Sequence, residues 1–338
     1  MAKGSILTNG WIRVVRFALP LLVIATFGLL RVAGTFAQET SPVAGQTIRV
    51  NVARVSVGVV VTDAKGKFIE GLQREQFHVF DNQTEQAITE FSPTEEPGQL
   101  LLLIEAGPAV YFLKDANLFA ATTMLNGLAA GDRVAIAQYT DSPLGVLDFT
   151  TDKQQAQAAL DTIRFNLGFA ELNLSSSMSN VLDWLSTIPG KKTIVLISTG
   201  VDTSPNAAVN TLRAKLEAGD VRILCISTSG PLRNGKQGNK AKIQQTQESF
   251  AAGDQLLQAI ADATGGRAYF PQNAKAFQEA YKQIAQIVRH EYSLTFVPPT
   301  ADGALHKIDV KIDAGIPKEA KSAELRIDHR AGYVAPKE

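Results

Sequence analysis

The chain has 338 residues, 45% of them hydrophobic, and its 33 basic residues balance 33 acidic ones. That length is enough for one large domain or two smaller ones with real cores. Even charge, scattered basic residues and modest aromatic content supply no field for a polyanion, which argues against nucleic-acid binding.

Lys3, Arg13 and Arg16 precede the apolar stretch "FALPLLVIATFGLL" (residues 17–30), and small residues follow at Thr35 and Ala37. A charged start, an apolar run short for a bilayer and a small-residue site read as a signal peptide over residues 1–37, cut after Ala37. An uncleaved anchor would have to carry Arg31 in the membrane, at a cost unless it snorkels. The protein would be membrane-attached only in that case; either way its body is expected to be exported, periplasmic or secreted.

A polar linker (38–46) leads into a β portion over residues 47–96. "IRVNVARVSVGVVVTD" is long and β-branched, "AKGKFIEGL" turns around Gly66, and "FHVFDNQTEQAITEF" alternates around an Asn-containing turn. "SPTEEPG" (92–98) marks a boundary.

From residue 98 to 290 the rhythm becomes alternating strand and helix. "LLLLIE", "DRVAIAQYT", "KKTIVLIST" and "VRILCIST" read as strands, with "LGVLDFT" and "RAYF" as shorter ones. "KDANLFAATTMLNGL", "DKQQAQAALDTIRF", "SSSMSNVLDWLSTI", "NAAVNTLRAKLEAG", "GDQLLQAIADATGG" and "AFQEAYKQIAQIVRHE" read as helices, the third started by serines suited to an N-cap. "PLRNGKQGNKAKIQQTQESF" (231–250) has weak periodicity and reads as a mobile excursion. Apolar strands separated by helices predict a mostly parallel, doubly wound sheet covered on both faces. The sole cysteine, Cys225, falls in a strand as a buried thiol, and no intrachain disulfide is possible.

Residues 291–338 return to β, in "YSLTFVPP", "HKIDVKID" and "AELRIDHRAGYVAP". Three strands stand poorly alone, and the N-terminal strands share that need. Both ends are therefore expected to pair into one small β-sandwich, with the α/β domain inserted between them.

In their order and spacing, "VVVTDAKGKFIEGLQREQFHVFDNQTEQAITEFS", "LLLLIEAGPAV", "AAGDRVAIAQYTD", "GKKTIVLISTGVDTS", "IADATGGRAYFP", "IVRHEYSLTFVPP" and "HRAGYVAP" resemble the bacterial exported "VWFA-related" family of von Willebrand factor type A domains. The resemblance covers nearly the whole chain after the leader. It implies a metal-ion-dependent adhesion site at the sheet's carboxyl edge: Asp-x-Ser-x-Ser after the first strand, a Thr in a later loop and an Asp after the fourth strand. A hard dication such as Mg²⁺ wants about six oxygens, with charge from carboxylates.

Laid on that pattern, Glu105 stands where the first Asp belongs, while Gly107 and Ala109 replace the two serines. Thr199 stands where the later Asp would be. Ser176 is the counterpart of the Thr, with Ser175 or Ser177 the alternatives if the alignment slips by one. Asp202 survives nearby, though it is not a primary ligand in the family. The site is thus expected to be degenerate, with no metal and no cofactor. Glu105 itself is expected to cap the first helix, face water or meet a partner.

Other candidates are weaker. "GPLRNGKQ" (230–237) nearly matches a phosphate-binding loop, but Gln237 replaces the magnesium-ligating hydroxyl, so a flexible loop is expected. His78, His290, His306 and His329 lack metal-ligand spacing and read as sheet-surface residues. Trp184, beside Val181, Leu182 and Leu185, reads as core. "NQT" at Asn82 and "NLS" at Asn173 are glycosylation sequons.

These readings converge on a non-enzymatic module that binds an unidentified protein in the cell envelope or outside the cell. Its expected surfaces are the carboxyl-edge loops, with Glu105, Ser175, Ser176, Ser177 and Asp202 as contacts, or an exposed strand edge. The alternatives are an envelope scaffold and a carboxylate-based hydrolase.

Overall fold

The structure, a computed structural model, describes residues 54–94, 97–111, 114–167, 171–233, 240–313 and 325–337. The expected signal peptide (1–37), linker (38–46) and first β residues (47–53) lie outside the described residues, as do residues 234–239 of the phosphate-loop-like string.

The first portion is β: β1 (Val55–Thr62), β2 (Phe77–Asp81), β3 (Thr84–Gln86) and β4 (Glu90–Thr94). β2 and β3 form a hairpin whose turn, Asn82 and Gln83, has φ of 45° and 71°. Two left-handed residues match the right-handed twist of a two-residue hairpin, and Asn tolerates that region best after Gly.

The α/β portion runs β5 (Gln99–Glu105), α1 (Pro108–Tyr111), α2 (Lys114–Gly127), β6 (Arg133–Tyr139), β7 (Pro143–Thr150), α3 (Lys153–Leu160) and α4 (Leu174–Ser186). It continues with β8 (Lys192–Ser198), α5 (Asn206–Ala218), β9 (Arg222–Ser227), α6 (Ser229–Arg233), α7 (Lys240–Ala263), β10 (Ala268–Tyr269) and α8 (Ala274–Arg289). The strands order as β10-β9-β8-β5-β6-β7, all parallel except β7, which runs antiparallel to β6 at the edge. This is the doubly wound sheet expected, with one antiparallel edge strand.

Period-two alternation divides each central strand between two cores. Leu100, Leu102 and Ile104 pack with Met124 and Leu125 of α2 and with Phe277, Tyr281 and Ile284 of α8. Leu101 and Leu103 pack with Met178 and Val181 of α4, Leu212 of α5 and Leu257 of α7. Cys225 is buried in this second core, as expected.

The chain closes with β11 (Glu291–Phe296), β12 (Leu305–Ile312), β13 (Arg326–Asp328) and β14 (Gly332–Val334). They join the opening strands in two four-stranded sheets, β13-β1-β11-β4 and β14-β12-β2-β3. The sandwich core between them draws Val55, Val57, Val59 and Val61 from one end of the chain and Tyr292, Leu294, Phe296 and Val310 from the other. Val60 instead enters the α2/α8 core, and Phe68 packs on both.

Three expectations are corrected. Residues 240–250 are not an excursion: they are the first turns of α7, a helix of 24 residues. Their weak periodicity hid a helix in which Phe250 and Leu257 are buried. Residues 230–233, the start of the phosphate-loop-like string, lie in α6, and a Cβ at Gly230 would sit 2.4 Å from the Pro271 carbonyl oxygen. His306 is not on the sheet surface but 5% exposed.

Candidate functional site

β5 delivers Glu105 to the carboxyl edge of the sheet, between β6 and β8. There the side chain turns inward and is 0% exposed. One oxygen, Oε2, accepts from the Thr199 backbone N–H (2.8 Å), the Thr199 hydroxyl (2.8 Å) and the Ser198 hydroxyl (2.9 Å). The Tyr139 hydroxyl, at 3.4 Å, also points at it and lies 2.8 Å from Ser198 Oγ. Oε1 is buried and has no hydrogen-bond partner among the described residues. Burial raises the Glu105 pKa, and the donors from Thr199, Ser198 and Tyr139 offset only part of that rise. The expectation of a carboxylate capping a helix or facing water is therefore corrected. Glutamate's additional methylene lets the group reach back under the β8 loop, where hydroxyl donors take it up.

The loop after Glu105 is narrow. Gly107 is buried, and a Cβ there would lie 3.0 Å from Leu172 Cδ2 and 3.4 Å from Glu105 Oε1. Ala109 lies in the single turn of α1.

The serine loop is the first turn of α4. Its N-cap is Asn173, whose side chain makes no capping bond. Asp202 supplies the cap from the neighbouring loop: Oδ2 accepts from the Ser175 hydroxyl (2.5 Å) and backbone N–H (3.3 Å), and Oδ1 accepts from Ser204 N (2.9 Å). A carboxylate at a helix start satisfies orphan N–H groups and complements the helix dipole. Ser176 N donates to Ser204 Oγ (3.2 Å), and Thr203 is bonded to Leu172 and Asn173. Ser175 and Ser177 are fully buried, and Ser177 Oγ has no partner among the described residues. Of the five expected contact residues, only Ser176 and Asp202 keep partial exposure.

These residues do not fit a six-coordinate dication. Glu105 Oε2 is already occupied by three close donors, positions 107 and 109 bring no oxygen, and Leu172 fills the space above Gly107. Among the described residues no group of three His, Cys, Asp or Glu side chains is placed to hold a metal.

Sequence reasoning missed two features. At the end of β9, the Ser227 and Ser229 hydroxyls both donate to Asp254 Oδ1 (2.7 and 2.9 Å), and Arg233 pairs with Oδ2. The spacing Ser-x-Ser at a strand end was the available signal, but its partner is on α7. The second feature lies beside the edge strand, where a groove of about 450 Å³ between β7 and α4 is lined by Leu101, Ala137, Pro143, Val181 and Trp184, with Asp148 and Asn180 as polar members. Trp184 is 39% exposed and stacks on Phe149 (5.6 Å, 15°), which corrects its reading as core. Leu144 on β7 is 60% exposed. Among the described residues β7 pairs with β6 alone.

Strand order and the antiparallel edge strand agree with the doubly wound sheet that the resemblance to von Willebrand factor type A domains implies. No family model and no curated protein matches the chain. Similar solved structures include a von Willebrand factor type A protein from Catenulispora acidiphila, at 12% identity and a TM-score of 0.45, spanning 84% of this chain and 75% of that one. An aerotolerance-related membrane protein from Bacteroides fragilis is similar at 14% identity and 0.43, over 56% of this chain and 98% of that one. The vWF domain of the type V pili tip protein Mfa5 from Porphyromonas gingivalis is similar at 11% and 0.41, over 57% and 96%. The likeness is one of fold.

Proposed function

We propose that this chain is an exported, non-enzymatic protein-interaction module that works without a metal and takes an extended segment of its partner along the free edge of β7. The supporting observation is the juxtaposition of that edge with the α4 groove. An added strand would find unpaired backbone groups at β7, while an apolar side chain would meet Trp184 and Val181. Aromatic residues beside apolar pockets are typical anchors of such contacts. The carboxyl-edge loops suit the role less, because Glu105, Ser175 and Ser177 are buried there. A hydrolytic role for Glu105 is disfavoured by its burial, since substrate has no path to a 0% exposed carboxyl. Export rests on the leader-like residues 17–30. Among the described residues no helix is long and apolar enough to cross a membrane.

The test is selection from a random peptide display library against the wild type and the variants Leu144→Asp and Trp184→Ala. Enrichment of β-prone peptides carrying an apolar anchor, lost in both variants, supports the reading. Binders that tolerate both variants, and compete at the Ser176–Asp202 loops instead, would refute it.

A further inference from the structure

At the opposite, amino edge of the sheet, a cavity of about 320 Å³ opens where β8 and β9 begin beside β1 and β11. Four cations line it: Lys191, Lys192, Arg222 and Arg330. The carboxylates lining it are Glu291 and Asp220, which leaves two positive charges in surplus. Glu291 is 5% exposed and is shared by two partners, Lys191 on Oε1 and Arg222 on Oε2 (2.7 Å). Those cations hold its pKa low against the opposing effect of burial. Gly58 lies beneath this pair, where a Cβ would come within 2.6 Å of Glu291 Oε2 and displace the carboxylate.

Among the described residues, the other two cations have no carboxylate within ion-pair distance. Lys192, 6% exposed, donates to the Ile188 carbonyl (2.9 Å). Arg330 donates one N–H to the Ser56 carbonyl (2.9 Å), and its Nε has no partner among the described residues. Burial pulls the Arg330 pKa down from the ordinary guanidinium value, with Asp220 at the cavity countering the shift. Hydroxyls are at hand as well: Ser56 and Ser293 share one hydrogen bond (3.0 Å), so one of their two protons stays free to donate. An under-neutralised pair of cations, Lys192 buried and Arg330 half-buried, with a spare guanidinium N–H and a spare hydroxyl, makes a receptor for a doubly charged oxyanion.

We infer that this cavity binds a small phosphate-type dianion, held by Arg330 and Lys192 with hydroxyl support from Ser56 and Ser293. The volume accommodates either the free ion or a small phosphate ester. Binding there would tie the sandwich strands β1 and β11 to the start of β8.

Isothermal titration of the full chain with inorganic phosphate and, separately, glycerol phosphate tests the inference, with chloride at matched ionic strength as control. Expected is saturable binding of at least one of them, weakened about tenfold or more in Arg330→Gln and tightened in Asp220→Asn, which removes a competing charge from an exposed position. Equal affinity for both assigns the site to the free ion, and preference for the ester assigns it to a phosphorylated small molecule. No saturable binding of either in the millimolar range, or affinities unmoved by both variants, would overturn the inference. Should Arg330→Gln fail to fold, Asp220→Asn alone decides, because unchanged affinity there counts against the site.

Discussion

The Thr199 backbone N–H and the Thr199 hydroxyl both donate to a single oxygen of Glu105, each at 2.8 Å. Where the family pattern would pair two carboxylates across a dication, this chain pairs one carboxyl with a neutral hydroxyl.

Removing the acceptor should therefore be costly. Glu105→Ala leaves the donors of Ser198 and Thr199 buried and unpaired, for a loss of roughly 3 kcal/mol or more. Glu105→Gln keeps an acceptor oxygen and should lose about half as much. Urea unfolding with matched slopes measures both. Burial raises the Glu105 pKa in the folded state, so the fold binds its proton more tightly than the unfolded chain. Its contribution consequently falls as pH rises from the ordinary carboxylate value through the folded one. Glu105→Gln should remove that slope, and an unchanged profile would contradict the assignment.

Divalent cations should leave the protein unmoved. A ligand bound only by the native state raises stability in proportion to RT ln(1 + [L]/Kd), so a site of useful affinity would be visible in thermal melts at millimolar Mg²⁺, Mn²⁺ or Ca²⁺. No shift is expected. Restoring the serine at position 107 alone should not create binding either, because its Cβ meets Leu172 at 3.0 Å. A cation-dependent rise in melting temperature in the wild type would refute the reading.

Gly200 and Gly253 bring the β8 loop against α7. A Cβ on Gly253 would lie 2.6 Å from the Thr199 carbonyl oxygen, and Gly200 has φ of +75°. Gly253→Ala should cost about 1–3 kcal/mol through forced backbone movement, despite the alanine's better helix propensity. Chemical denaturation reads the sign directly: a stabilised variant would show that the contact is loose.

His306 gives the sandwich its own pH dependence. Nδ1 faces Asp81 (2.7 Å) and Nε2 faces Asp302 (3.2 Å), while the Tyr333 hydroxyl donates to Asp81 (2.6 Å). Burial opposes the charged ring, but Asp302 and Asp81 outweigh it and raise the pKa above 6.5. The stabilisation is present in full below the unfolded value and is lost as pH climbs through the folded one. His78, raised by Glu85 and then Asp313, titrates in the same direction from a more exposed position. Stability measured from pH 5.5 to 8.5 should flatten more in His306→Gln than in His78→Gln. The reverse order would misplace the effect.

Local pattern made much of the fold legible. Continuous apolar strands, glycine-closed helices and the Asn82 turn each announce themselves within a few residues. The pairing of the chain's ends followed from the need of too few strands for partners. What stayed hidden depended on distance in sequence. Nothing near Glu105 says that Ser198 and Thr199 will draw it inward, and nothing near Trp184 says that an antiparallel β7 will leave it half uncovered. Asp202 as the cap of α4 was equally silent, because the helix's own preceding residue is an asparagine of the right type. Site residues could be placed at the correct edge of the sheet, but burial decided their roles.

β4 and β11 are antiparallel neighbours, with Thr94 opposite Glu291. The whole α/β domain thus occupies the place of a hairpin turn, leaving through one strand and returning through the next. The entropy of joining those strands is set by the gap between the domain's two ends once it has folded, rather than by the contour length of everything between them. The expected folding order has the guest assemble first as a rigid clasp and the host strands zip together afterwards, which φ-value analysis at Val57 and Leu103 would check. Cutting the guest out and bridging its ends with a tight turn should keep the β4–β11 register while uncovering Val60 and Phe68 and stripping Glu291 of Lys191 and Arg222.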